Sequence, residues 1–187
     1  MNKTRLEAFT DAMIAIIMTV LVLELARPNS DQLKSLVELM PHLGVYLVSF
    51  LVLAIYWINH HHLFQIIKNI NGKVLWINIT FIFIISLIPF FSNWVSYYPN
   101  SFIPEFGYAS LFLLSNFLYF ILTRELFKIN GHLKSTESTI KKNIVSIGIN
   151  IISIILGYLM TPIIMIFGSI LVFSLWIIPD KKAERKI

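Results

Sequence analysis

The chain has 187 residues, of which 57% are hydrophobic and only 13% charged, with a mean hydropathy of +0.76. That composition excludes a soluble single domain and describes an integral membrane protein. The net charge of +5 does not mark a nucleic-acid-binding surface, because the basic residues lie between apolar segments and form no patch interleaved with aromatics. Cysteine is absent, so neither a disulfide framework nor a thiolate metal site is available.

About 20 consecutive apolar residues cross a bilayer as a helix, and six segments meet that length. The first, 6–26, is closed by Arg27-Pro28. Lys3 and Arg5 ahead of an apolar run resemble the start of a signal peptide. The run lacks a small-x-small cleavage site and is interrupted by Asp11, so it reads as a retained first span. Asp31 is placed to cap a short amphipathic stretch with Leu33, Leu36, Val37 and Met40 on one side and Lys34 and Glu38 on the other. Pro41 then kinks it into the second span, 42–64. The third, 73–97, follows a turn at 69–72, and the fourth, 104–127, has Pro104 in its first turn. Asn130-Gly131 opens a polar loop over 131–139, followed by the fifth span, 140–160, and the sixth, 162–178, closed by Pro179-Asp180. Thr161-Pro162 breaks the last two into a hairpin, since together they are too long for one crossing.

The charges test this count separately. With the amino terminus inside and six spans, the inner segments hold Lys3, Arg5, Lys68, Lys73, Arg124, Lys128, Lys134, Lys141, Lys142, Lys181, Lys182, Arg185 and Lys186; only Arg27 and Lys34 of the 15 basic residues fall outside. Basic residues concentrate on the cytoplasmic side, so the pattern predicts both termini there. Trp94, Tyr97 and Tyr98 form an aromatic belt at an outer end. The two halves show no repeat, which argues against an inverted-repeat transporter.

The chemistry concentrates on the first span. A carboxylate one and a half turns inside it, Asp11, costs several kcal/mol unless it faces protein or water, and so marks a functional position. On a wheel of roughly 100° per residue, Ile16, Thr19 and Leu23 fall within about 60° of one another with Val20 on their flank, and Asp11 lies about 110° from that stripe. Arg5 is too far round the helix to pair with Asp11, and Glu7 on the same face repels it. The partner must come from another helix. The second span ends in Trp57-Ile-Asn59-His60-His61-His62, which puts His60 at about the depth of Asp11, with Asn78 of the third span near that level. An Asp11–His60 contact, or a network through Trp57, Asn59 or Asn78, is expected to fix the first helix. Three consecutive histidines point in three directions and cannot share one zinc ion. Glu24, near the outer end of the first span, reaches the headgroup region or adds acidic charge to an outer mouth. No His-Glu-x-x-His, Gly-x-Ser-x-Gly or Walker loop is present, and no nucleophile completes an Asp11–His60 acid–base pair. A Thr-Val-Gly-Tyr-Gly filter is also missing.

Arg5-x-x-x-Phe9-Thr10-Asp11 resembles the Arg/Lys-x-x-x-Phe-Ser-Asp signature that opens the pore helix of the transmembrane protein 175 family of cation channels. Thr10 departs from the signature's Ser but keeps the hydroxyl. Chain length, span count and a Trp/Asn/His-rich inner end on the second span extend the resemblance. It implies an all-α membrane protein with six transmembrane helices per chain, a single channel domain over 1–187, and a homotetramer whose pore is lined by the first helix. It implies a constriction at Ile16, a hydroxyl ring at Thr19 and an outer aliphatic ring at Leu23. Arg5, Phe9, Thr10 and Asp11 would hold the helix behind the pore, and Trp57, Asn59, His60 and Asn78 would support them. No cofactor or resident metal is implied; potassium is the permeant ion, and the partners are further copies of the chain, the lipid bilayer and monovalent cations, with no nucleic acid.

The expected function is therefore a potassium-permeable cation channel with no carbonyl-type filter, in a prokaryotic inner membrane. The alternatives are a proton-conducting or proton-coupled carrier using Asp11 and His60, and a membrane enzyme or assembly factor without ion flux.

Overall fold

The computed structural model describes residues 2–131 and 136–177, and those residues form an all-helical bundle. The elements are α1 (Lys3–Leu23), α2 (Leu33–Glu38), α3 (Met40–Ile66), α4 (Gly72–Ile85), α5 (Ile88–Tyr97), α6 (Phe102–Asn130), α7 (Thr136–Leu159) and α8 (Ile164–Ser174). Among the described residues, five stretches are long and apolar enough to cross a bilayer: Lys3–Leu23, Met40–Ile66, Gly72–Tyr97, Phe102–Asn130 and Glu137–Leu159. The apolar α8, with 11 residues, occupies the sixth position but is shorter than the 162–178 span expected there. Ile178, the closing Pro179-Asp180 and the inner-side residues Lys134, Lys181, Lys182, Arg185 and Lys186 lie outside the described residues.

Helix ends follow local chemistry more closely than hydropathy. α1 begins at Lys3 because the Asn2 side chain accepts from the Arg5 N–H at 3.0 Å, an N-cap that satisfies one of the free donors of the first turn. It ends at Leu23 with Glu24 as C-cap, three residues before the expected Ala26. The third span is not continuous. It breaks at Ser86-Leu87, because Pro89 has no N–H for the carbonyl four residues back and its ring crowds that carbonyl. Gln32, not Asp31, stands at the α2 N-cap, and its side chain makes no capping bond. α6 stops at Asn130, where Gly131 takes φ +83°, a conformation that favours glycine.

α1 packs on α3, α4 and α5, while α7 packs on α6 and α8. The two sets meet where α4 and α5 pack on α6. The shared core is apolar and aromatic: Leu53, Tyr56, Phe81, Phe112, Tyr119 and Phe173 are buried, with Tyr56 edge-on to Phe81 and to Phe173. α1 therefore lies along one edge of the subunit and α7 along another.

The α7–α8 hairpin forms as the Thr161-Pro162 break requires. Asn100, at φ 63°, holds the turn by accepting from Thr161 Oγ1 at 2.7 Å and from the Ile163 N–H at 3.3 Å. Within the hairpin, a Cβ on Gly168 would stand 1.8 Å from Ser153 Oγ and 2.3 Å from Ser153 Cβ. On Gly157 it would meet Met165 Cγ at 2.5 Å and Cε at 2.7 Å, atoms of a side chain that can move away. Gly168→Ala should therefore cost about 1–3 kcal/mol through overpacking and Gly157→Ala clearly less. Thermal unfolding in detergent checks this, and equal losses at the two positions would contradict it.

Candidate pore helix and its anchors

α1 divides lengthwise. Leu6, Thr10, Ile14, Ile17 and Leu21, spaced three or four apart, are buried against α3, α4 and α5. The opposite face carries Arg5, Ala8, Phe9, Ala12, Ala15, Ile16, Thr19, Val20 and Leu23, all exposed in the single chain. Ile16 is 54% exposed and Leu23 80%, whereas Ile14, two residues away, is 1% exposed. Thr19 Oγ1 donates to the Ile16 carbonyl of its own helix at 2.7 Å. Its proton is committed, and its oxygen remains an outward acceptor.

The amino-terminal half of α1 is held by a chain of side-chain bonds with a defined donor direction. Thr10 Oγ1 donates to the Leu6 carbonyl at 2.9 Å, so its oxygen accepts from Asn78 Nδ2 at 2.8 Å. The Asn78 carbonyl oxygen then faces His60 Nε2 at 2.9 Å, which makes Nε2 the protonated ring nitrogen. All three residues are buried. His60 also stacks on Phe64, with centroids 4.2 Å apart.

Asp11 takes a different partner. Trp57 Nε1 donates to Asp11 Oδ1 at 3.1 Å, and His60 bonds Asn78 rather than Asp11. Asn59 turns away from α1, donating to the carbonyls of Ile55 at 2.8 Å and Trp176 at 3.3 Å. Arg5 and Phe9 stand on the exposed side of α1, not on its packed side. His61 Nδ1 lies 3.2 Å from Glu7 Oε1, so neighbouring histidines reach in different directions. Among the described residues no group of three or more His, Cys, Asp or Glu gathers to hold a metal ion.

Two family-level observations bear on this arrangement. Residues 5–89, which include α1 from Arg5 onward, Trp57, His60 and Asn78, match the family described as endosomal/lysosomal potassium channel TMEM175. Over its whole length the chain is 35% identical to a potassium channel of Chryseobacterium sp. (strain P1-3), in an alignment of 192 residues that covers 98% of that protein. The chain belongs to the TMEM175 family. That is a family of ion channels, not of enzymes. A potassium channel of Streptomyces collinus is 32% identical over 94 residues, 48% of this chain and 46% of that one. The endosomal/lysosomal proton channel TMEM175 of Danio rerio is 30% identical over 105 residues, 54% of this chain and 20% of that protein. The fold is that of the crystal structure of a lysosomal potassium-selective channel TMEM175 homolog from Chamaesiphon minutus, with a TM-score of 0.79, 94% of each chain covered and 23% identity.

One contact of this TMEM175 family helix went unread in the sequence. Asn93 Nδ2 on α5 donates to Glu24 Oε2 at 2.6 Å and straps the carboxyl-terminal end of α1. Both residues are polar and lie toward the carboxyl-terminal ends of their spans, which was the available signal. Within the amino-terminal network Asn78 is the joint: replacing it by Ala leaves the His60 Nε2–H buried without its acceptor and the Thr10 oxygen buried without its donor, although Thr10 keeps its bond to the Leu6 carbonyl. The expected cost of Asn78→Ala is about 2–4 kcal/mol, against about 1 kcal/mol for Trp57→Phe, whose bond is exposed. Thermal unfolding of the two variants side by side checks the order; the reverse order would remove Asn78 from the centre of the network.

Proposed function

We propose that this protein is a potassium-permeable cation channel that assembles as a homotetramer around α1. The observation that carries the reading is the lengthwise division of α1: an exposed face running from Arg5 to Leu23 on a helix whose other face is fully packed. The names of the bacterial relatives as potassium channels support the ion, and the family supports the class. Four such faces directed at one axis give aliphatic rings at Ile16 and Leu23, with Val20 on the flank and a hydroxyl ring at Thr19 between them. A dry ring of isoleucines blocks ions when narrow and conducts when widened or wetted. Thr19 supports cation passage in particular, because its free lone pairs face outward and its proton does not. Arg5, Phe9, Thr10 and Asp11 hold the helix in this reading: Thr10 and Asp11 through bonds within the subunit, Arg5 and Phe9 from the side that neighbouring copies would cover. Trp57, His60 and Asn78 support them, whereas Asn59 ties α3 to the end of α8. Residues 1–187 act as one channel domain in a prokaryotic inner membrane with both termini cytoplasmic, a placement supported by the distribution of basic residues.

Proton permeation enters as a second reading because vertebrate relatives are named proton channels. Asp11 and His60 support it weakly, since each is bonded to a different neutral side chain.

The decisive experiment is ion flux from liposomes holding the purified protein, with potassium inside and a large impermeant cation outside. Ile16→Ala and Ile16→Asn should each raise potassium flux by about tenfold or more over the wild type, because a smaller or polar ring removes the dry barrier. Flux absent from all three preparations, in protein that is correctly assembled, would sink the channel reading. A proton current carried by the same wild-type protein and lost in His60→Asn would favour the second.

A further inference from the structure

Beside the exposed face of α1, at its outer end, α5 leaves an open cleft of about 600 Å³. Its walls include Val20 of α1, Glu24 at the C-cap of that helix, and the aromatic side chains Phe90, Trp94, Tyr97 and Tyr98. Glu24 is the one charged group in that lining, and Asn93 is its neutral partner at 2.6 Å. Among the described residues no cation pairs with it: the ion pairs there are His61–Glu7 and Lys73–Glu125, both on other elements. A carboxylate set among aromatic faces suits a guanidinium, which bonds the carboxylate in its plane and stacks its face on the rings.

We propose that the cleft is filled by Arg27 of the neighbouring copy, which pairs with Glu24 and closes a ring of salt bridges around the outer mouth. The inference rests on the homotetramer reading. Three observations select this occupant. Arg27 lies three residues beyond Glu24, in the segment that leaves the end of α1, and its side chain is exposed. With the topology read from the charges, Arg27 and Lys34 are the only outer basic residues, and only Arg27 adjoins the end of α1. The cleft also borders the face of α1 that the tetramer turns to its axis, where the nearest protein is another copy. A contact between two different patches, repeated by rotation, closes into a ring in which every copy gives one arginine and receives one.

Charge reversal tests this on the full-length protein in lipid nanodiscs and in detergent, with assembly read by native mass spectrometry. E24R and R27E should each weaken the tetramer by about tenfold in its assembly constant, and E24R/R27E should recover most of that loss. The sharper arm co-expresses the two single variants with different tags. Alternating assembly restores opposite charges between copies but never within one, so mixed tetramers should be more stable than either variant alone. Helical content by circular dichroism confirms that the single variants fold. If the wild type is tetrameric and neither the double variant nor the mixture recovers stability, the Arg27–Glu24 ring is overturned while the tetramer stands. A wild type that is not tetrameric in nanodiscs overturns both.

Discussion

The amide of Asn78 is the constraint on which the placement of α1 depends. Within a bilayer, apolar helix faces gain little by leaving lipid for protein, so packing alone fixes the rotation of a helix weakly. A buried amide is different, because both its ends must be satisfied in set directions. Thr10 has spent its proton on the Leu6 carbonyl, so only the Asn78 NH2 group can face it, and the carbonyl end is left for His60. That geometry admits one rotation of α1 about its axis. It turns Ile14, Ile17 and Leu21 into the subunit and leaves Ile16, Thr19 and Leu23 outside.

α1 is thus held at its two ends and only packed between them. Thr10 and Asp11 bond α4 and α3, and Glu24 bonds α5, about 20 Å further along the helix. The two ends do not share a support, since α4 and α5 are separated by the break ahead of Pro89. The amino-terminal anchor is a buried chain that is costly to disturb, whereas the carboxyl-terminal anchor is an exposed pair that water can replace. Movement of α5 relative to α4 therefore bears on the carboxyl-terminal half of α1 first, where Thr19 and Leu23 stand.

The sequence allowed the face of α1 to be drawn because one helix's periodicity fixes which residues share a side, whatever surrounds it. It did not reveal which neighbour each residue meets. Counting depth put His60 level with Asp11, but depth says nothing of the angle at which α3 presents its side chains. Trp57, three residues earlier on α3, points at Asp11, while His60 points past it to α4. The break in the third span was readable from Pro89, yet the apolar run through it reports what lipid tolerates and not where backbone hydrogen bonds stop. The same distinction explains the start of α1: Lys3 and Arg5 are too polar for the hydrocarbon core but helical all the same, because Asn2 caps them.

The environment of Thr19 bears on how sharply such a pore could discriminate. In the proposed assembly its four oxygens are the polar groups between aliphatic rings at Ile16 and Leu23. Each is a hydroxyl whose dipole is already polarised toward its own helix by the bond to the Ile16 carbonyl. One ring of hydroxyls replaces only part of an ion's water shell, whereas stacked carbonyl rings replace most of it. Preference among cations must then come largely from the cost of shedding water at the isoleucine ring, a cost lower for potassium than for the more tightly hydrated sodium. The width of that ring would be set by the rotation and tilt of α1, which are held by the buried amide of Asn78 on α4 and by the exposed bond from Asn93 on α5 to Glu24. Selectivity and anchoring are, in this architecture, one mechanical problem.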